Sequence, residues 1–164
     1  MSITEAEEKD LEECAGIIFL SRMGKTYYPK RELIRDAMKQ GMKKDNIFVF
    51  RDPGEGNEGE VLGVIWYQME GMFHSFPYLH MIAVKDRHQG KGIGTALMNF
   101  FENDILIHGK NHIQTKAFLT VGDFNQEAER LYAERGYIEL FQLKGLFRRN
   151  VTEKILMKTV IKRD

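Results

Sequence analysis

The chain has 164 residues, enough for one domain with a hydrophobic core and no need of disulfides or a structural metal. Hydrophobic residues make up 43% and charged residues 29%, as in globular proteins. Lys+Arg and Asp+Glu are both 24, so the basic excess of a nucleic-acid binder is missing. The single cysteine, Cys14, excludes an intrachain disulfide and a cysteine-based zinc site. Within LEECAGIIFL it reads as a buried core thiol rather than a nucleophile. The opening MSITEAEEKD is polar and acidic, unlike a signal peptide, and no apolar run approaches the roughly 20 residues that span a bilayer. A cytoplasmic, reducing compartment without a membrane partner is the expectation.

Residues 6–23 carry Leu11, Cys14, Ala15, Ile18 and Phe19 at helical spacing. GKTYYPK then reads as a loop, with Gly24 and Pro29 at its ends. A second helix is predicted over 30–42, where Leu33, Ile34, Ala37 and Met38 share one face. NIFVFR (46–51) and EVLGVIWYQME (60–70) read as a strand pair joined by the turn DPGEGNEG. FPYLHMIAV (76–84) is a third strand. A helix follows with Ile93, Leu97, Phe100, Phe101 and Ile105 in phase, stopped near Gly109. HIQTKAFLTV (112–121) is a strand, and NQEAERLYAER (125–135) a helix ended by Gly136. YIELFQL and VTEKILMKTVI are two closing strands. The fold class is therefore α/β in the α+β sense, one domain over 1–164, with order α-α-β-β-β-α-β-α-β-β and room for a short N-terminal strand. The sheet is expected to be mixed, mostly antiparallel, and flanked by helices.

Between the third strand and its helix lies RHQGKGIGTAL, with Gly90, Gly92 and Gly94 in close succession. A Walker loop needs G-x-x-x-x-G-K-[ST]; here Lys91 is followed by Gly92, and no glycine stands five residues before Gly90. The dinucleotide fingerprint needs two residues between its second and third glycines, and only Ile93 separates Gly92 from Gly94. What remains is Gln-x-x-Gly-x-Gly at Gln89, Gly92 and Gly94. Such a turn aims backbone N–H groups at one point, at the positive end of a helix dipole, and side chains at the glycines would block close approach. That suits a pyrophosphate. A plain glycine-rich turn is the competing reading.

IAVKDRHQGKGIGTAL resembles motif A of the GCN5-related N-acetyltransferase (GNAT) superfamily, a strand, [QR]-x-x-G-x-[GA], and a helix. VGDFNQEAERLYAERGYIEL is similar to the family's motif B, matching at Val121, Asn125, Ala128, Tyr132, Gly136 and Tyr137. The family often has a proline where this chain has Asp86, a difference that touches only the shape of the turn. The resemblance covers nearly the whole chain. It implies acetyl-CoA as co-substrate, with Ile82, Ala83 and Val84 along the pantetheine arm. It also implies that Gln89, Gly90, Lys91, Gly92, Ile93, Gly94 and Thr95 lie around the pyrophosphate. Asn125 would hydrogen-bond the pantetheine or neighbouring backbone, a role compatible with a helix N-cap.

Amine attack on a thioester needs a neutral amine, oxyanion stabilisation and a protonated leaving thiol. The resemblance implies strand amides near Ala83 and Val84 for the carbonyl and Tyr132 as the acid for the thiolate. A core tyrosine with its hydroxyl on a backbone carbonyl is the competing reading of Tyr132, and the motif match favours the acid. His80 shares a strand face with Ile82 and Val84 and is a candidate base, direct or through water. A satisfied structural histidine is its bland counterpart. Glu70 is the second candidate base, or else a solvated surface carboxylate. His88 is expected at the surface, and His74, His108 and His112 lack metal-ligand spacing. Tyr27 and Tyr28, in the loop that the fold usually sets beside the acceptor cleft, could hold an amine or simply pack. The expected acceptor is a small-molecule amine or a peptide or protein amine, with no nucleic acid. Many relatives form dimers, and a homodimer stays open. A non-catalytic acyl-CoA-binding sensor or regulatory module is the alternative function.

Overall fold

The computed structural model describes residues 2–52 and 59–162. Its elements run β1 (Ser2–Glu5), α1 (Leu11–Leu20), α2 (Arg22–Tyr27), α3 (Arg31–Gly41), β2 (Asn46–Arg51), β3 (Val61–Met72), β4 (Phe76–Val84), α4 (Ile93–Ile107), β5 (Gln114–Gly122), α5 (Gln126–Glu134), β6 (Ile138–Lys144) and β7 (Thr152–Ile161). Short 3-10 turns stand at Glu8–Asp10 and Asp86–His88. Seven strands hydrogen-bond in the order β1-β2-β3-β4-β5-β7-β6. The pairs β1–β2, β2–β3, β5–β7 and β6–β7 are antiparallel, and β4–β5 is parallel. This is the mixed, mostly antiparallel sheet with helices that the residue patterns predict. Of the turn expected between the second and third strands, residues 53–58 lie outside the described residues.

One difference from the predicted elements stands out. The helix expected over 6–23 begins at Leu11 and breaks at Ser21, whose extended ψ of 162° leaves the helical region. Ser21 Oγ donates to the Ile18 carbonyl at 2.6 Å and accepts from the Gly24 amide at 3.1 Å, closing α1 and capping α2. Most of the expected loop is thus a third helix. Gly24 is required there by contact: a Cβ on it would stand 1.9 Å from the Ile18 carbonyl oxygen. The short N-terminal strand for which the sequence left room is β1, which pairs with β2 from Ser2↔Arg51 to Glu5↔Phe48.

The chain divides into two compact units, residues 1–67 with 81–100, and residues 68–80 with 101–164. In the first, Cys14, Ala15 and Ile18 of α1 and Ile34 and Met38 of α3 pack with Ile47, Val49, Val64, Trp66, Met81 and Ala83. Full burial of an aliphatic side chain contributes about 1.5–3 kcal/mol, so this cluster is what holds the two helices to their strands. Leu33, expected on the buried face of α3, is 48% exposed. Trp66 Nε1 donates to Asp45 Oδ2 at 3.0 Å. Beneath the core, Arg51 Nη2 meets Asp10 Oδ2 at 2.7 Å, with both side chains nearly fully buried.

In the second unit, β7 lies between β5 and β6 and aligns with β5 over nine residues, from Gln114↔Ile161 to Gly122↔Glu153. Arg135 at the end of α5 holds both oxygens of Glu102, at 3.2 and 2.9 Å, and Lys158 Nζ reaches the same carboxylate at 2.8 Å.

Candidate functional site

Strand β4 sets the geometry in front of the glycine turn. Its burial alternates strictly: Pro77, Leu79, Met81 and Ala83 are buried, while Phe76, Tyr78, Ile82 and Val84 are half-buried and His80 is exposed. His80 therefore shares the open face with Ile82 and Val84, as the two-residue period requires. Tyr78 belongs to that face too. Its hydroxyl stands 3.1 Å from Thr120 Oγ1, and its ring lies 6.4 Å from that of His80.

Beyond Val84 the backbone tightens through bonds from the His88 amide to the Lys85 carbonyl and from Gln89 to Asp86. The Gln89 side chain donates to the Val84 carbonyl and to Asp86 Oδ1, each at 3.2 Å. Gln89 thus ties the turn to the end of β4, and Asp86 is its partner in doing so. Gly90 and Gly92 have φ of 71° and 82°, the left-handed region in which an L side chain is strained. A Cβ built on either would meet no protein atom within 4 Å. The protein fills no space there. Gly94 differs, since it lies inside the first turn of α4 and outside the positive-φ glycines.

The first intrahelical bond of this end runs from the Ala96 amide to the Gly92 carbonyl at 2.9 Å. The amides before it face outward from the positive end of α4. Cations around the turn are disposed unequally. Lys85 Nζ contacts Glu60 at 2.5 Å and Glu13 at 3.1 Å, and Arg87 contacts Glu60 at 2.8 Å. Burial works to lower the Lys85 pKa, and the two carboxylates outweigh it and hold it raised. Lys91 is exposed and carries no ion pair among the described residues. An anion placed on the turn would meet Lys91 and open amides. His88, expected at the surface, is half-buried.

Tyr27 closes α2 and Tyr28 follows as its C-cap; both are half-buried, and Tyr28 packs against the first unit's core. Residues 82–84, 89–95, Tyr27 and Tyr28 all fall in that unit. Glu70, His80, Asn125 and Tyr132 fall in the second.

Asn125 caps α5, its side chain accepting from the Ala128 amide at 3.4 Å. Tyr132, two turns on, is buried, its ring 6.0 Å from that of Tyr137 at 61°. The Tyr132 hydroxyl makes no hydrogen bond to a described residue, so the carbonyl partner expected of a purely structural tyrosine is missing. Tyr137 Oη is the buried side-chain polar atom without a partner among the described residues, although the Glu102 carboxylate is near enough to raise its pKa behind burial. Burial, with a smaller contribution from Tyr78, pushes the Tyr132 phenol well above its ordinary value.

Glu70 is half-exposed and paired with Lys110 at 2.7 Å. Both border a cavity of about 190 Å³ whose walls include Phe76, Pro77, His108 and Gln114. Cys14 is fully buried, and burial pushes its thiol up to about 12, so it is no thiolate at neutral pH. No group of three His, Cys, Asp or Glu among the described residues could hold a metal ion, and no described helix is long and apolar enough to cross a membrane.

Sequence reasoning missed Tyr78, Thr120 and the Lys85–Glu60–Glu13 cluster. Tyr78 was within reach of it, since the alternation that singles out His80 singles out Tyr78 as well. The acids around Lys85 come from distant segments and left no local signal.

The family model described as "Acetyltransferase (GNAT) family" matches residues 17–137. No match was found among curated protein sequences. Solved structures share the fold along their full lengths. A spermidine N-acetyltransferase SpeG chimera from Vibrio cholerae and hSSAT has a TM-score of 0.73 at 20% identity, covering 97% of this chain and 96% of that one. Ard1 from Thermoplasma volcanium has 0.75 at 22%, covering 98% of each chain. An aminoglycoside 6'-N-acetyltransferase complexed with coenzyme A has 0.73 at 17%, covering 100% and 99%.

Proposed function

Because the chain belongs to the Acetyltransferase (GNAT) family, whose acyl donor is acetyl-CoA, we propose that residues 1–164 form one N-acetyltransferase domain acting by direct attack in a ternary complex. The acetyl group of acetyl-CoA moves to a primary amine. The observation that carries this reading is the turn between β4 and α4. Two glycines there hold positive φ with open space over their Cβ positions, beside a helix N-terminus and Lys91, which has no ion pair among the described residues. That combination suits a pyrophosphate. Ile82, Ala83 and Val84 take the pantetheine arm, their amides polarising the thioester carbonyl, and Asn125 joins its N-cap role to a hydrogen bond with the pantetheine or adjacent backbone.

In the reaction, the amine nitrogen bonds to the acyl carbon and the carbon–sulfur bond breaks. The thiolate takes its proton from the Tyr132 hydroxyl. The amine must lose a proton, and His80 receives it directly or through water. Glu70 is the weaker candidate base, since it already pairs with Lys110. Tyr27 and Tyr28 border the acceptor. The acetyltransferases of spermidine and of aminoglycosides among the solved structures support a small-molecule amine as acceptor; a peptide or protein amine is the other acceptor class.

Release of free CoA thiol, followed with acetyl-CoA and a panel of polyamines, aminoglycosides, peptide N-termini and lysine peptides, tests the enzyme reading. Turnover with one class is expected. Tight CoA binding with no turnover on any class would favour the non-catalytic acyl-CoA-binding module instead. The turn has its own test. Gly92→Val should abolish CoA binding in a calorimetric titration, while thermal unfolding changes only by the strain of a positive φ, about 1–2 kcal/mol. Retained affinity would remove the turn from the donor site.

A further inference from the structure

The cavity beside Glu70 and Lys110 is lined wholly from the second unit, where β3 runs out, β4 begins, α4 ends and β5 begins. Its volume of about 190 Å³ matches roughly six waters at about 30 Å³ each. It therefore takes a small metabolite and excludes a nucleotide or coenzyme A. It also stands apart from the reacting groups. Asn125 follows the far end of β5, and the nine residues Gln114–Gly122 put about 26 Å between the two ends of that strand. Ser75, on one wall, closes the turn between β3 and β4. Its amide donates to the Met72 carbonyl at 3.1 Å, and Phe73 and His74 between them hold φ of 53° and 54°. Asparagine or glycine is usual where a two-residue hairpin turn needs that conformation. Strain of this kind in bulky residues gathers at sites that hold ligands.

The chemistry of the walls specifies the ligand. Glu70 and Lys110 bring one charge of each sign, 2.7 Å apart, with side chains 53% and 69% exposed. An exposed ion pair of this kind is weak and exchanges partners readily. A ligand with a single charge would take one member and strand the other. A ligand carrying both charges replaces one pair by two, its ammonium on Glu70 and its carboxylate on Lys110. The ammonium also suits the end of α4, which stops at Ile107, two residues before Gly109 on the cavity wall. The last carbonyls of a helix carry the negative end of its dipole. On the remaining walls the side chains of Ser75, Gln114 and Thr115 hydrogen-bond to no described residue, so two hydroxyls and an amide are open to polar atoms. Met69, Phe76 and Pro77 supply apolar surface for a short side chain. A free α-amino acid brings the two charges and the side chain together within this volume.

We propose that this cavity binds a free α-amino acid as its zwitterion, at a site separate from acyl transfer. Glu70, already the weaker candidate base, is assigned here to binding. Calorimetric titration of the whole protein with the common amino acids tests it, each beside its decarboxylated amine and its deaminated acid. At least one amino acid should bind saturably. Its amine and acid analogues should bind about tenfold more weakly or worse, because each loses a charged hydrogen bond. Lys110→Met and Glu70→Gln should each weaken the amino acid by about tenfold or more. Lys110→Met should leave coenzyme A affinity and far-UV circular dichroism unchanged, since the side chain is exposed. Amide NMR shifts during the titration should centre on Ser75, Asn111 and Thr115. No saturable binding by any amino acid up to about 10 mM, equal binding of the analogues, or unchanged affinity in both variants would overturn the proposal. So would acetylation of the bound amino acid that Lys110→Met abolishes, because the cavity would then be the acceptor site.

Discussion

Tyr132→Phe is expected to lower turnover by about 10²-fold or more, the usual weight of a general acid, with CoA affinity unchanged. The structure supplies the reasons for a large and selective effect. Tyr132 is buried with its hydroxyl unpartnered among the described residues. Removing that oxygen breaks no internal hydrogen bond, so the fold should tolerate phenylalanine. The phenol's pKa is raised, chiefly by burial. The sign of its pH dependence follows. A donor must hold its proton, and a raised pKa keeps it protonated through neutral and mildly alkaline solution. The acidic limb of kcat/KM should therefore report deprotonation of the amine or its base, and no alkaline limb should arise from Tyr132 below about pH 10. A raised phenol is also a poor free acid. A thiol ionises near 8.5, so the hydroxyl serves as a hydrogen-bond donor to sulfur as its charge develops, the proton following as the bond breaks. Steady-state kinetics of the variant beside a CoA titration separate the two roles. An equal fall in turnover and affinity would mean that Tyr132 only shapes the donor site.

Removing one partner of the Asp10–Arg51 pair should cost about 3–5 kcal/mol, the largest stability effect expected in the chain. Asp10 Oδ2 accepts from Arg51 at 2.7 Å and from the Glu7 amide at 2.9 Å. Arg51 also donates to Thr4 Oγ1 and to the Gly59 carbonyl, each at 3.3 Å. One guanidinium thereby joins β1, the 3-10 turn before α1, and the chain entering β3. Both side chains are about 5% exposed, so Asp10→Ala or Arg51→Ala leaves a buried charge without its counter-ion. For a domain of this size the melting temperature should fall by roughly 6–20 °C. An apolar double replacement, Asp10→Leu with Arg51→Met, should recover most of that loss. Urea denaturation of the three variants checks the pattern, and a single variant within about 1 kcal/mol of wild type would show the pair to be solvated.

Most of the fold was legible because its elements carry strong periods. The burial of β4 alternates as its residues predict, and α5 begins and ends where Asn125 and Gly136 stand. What escaped depends on contacts made at a distance. Nothing local announces that Ser21 ends one helix and caps another, or that Gly24 serves close contact rather than a turn. β1, for which the sequence only left room, is too short to carry a period of its own and exists through β2. The three glycines of the motif look equivalent in sequence, yet only Gly90 and Gly92 take positive φ, while Gly94 is helical. Gln89 matched the motif, but its tie to the Val84 carbonyl is a matter of geometry. Asp10 and Arg51 are separated by 41 positions, beyond any periodic signal. The last two strands were read correctly as strands. That β7 inserts beside β5 and leaves β6 at the edge is a crossing order that no local pattern encodes.

The burial of Cys14 closes off one kind of chemistry. It is the chain's single thiol, held in the core and protonated at neutral pH. Oxidants that act on thiolates find none on the folded protein. Two folded copies therefore have no sulfur bridge through which to become covalently joined. Any association between them is set by concentration and contact alone, and is as reversible in an oxidising solution as in a reducing one.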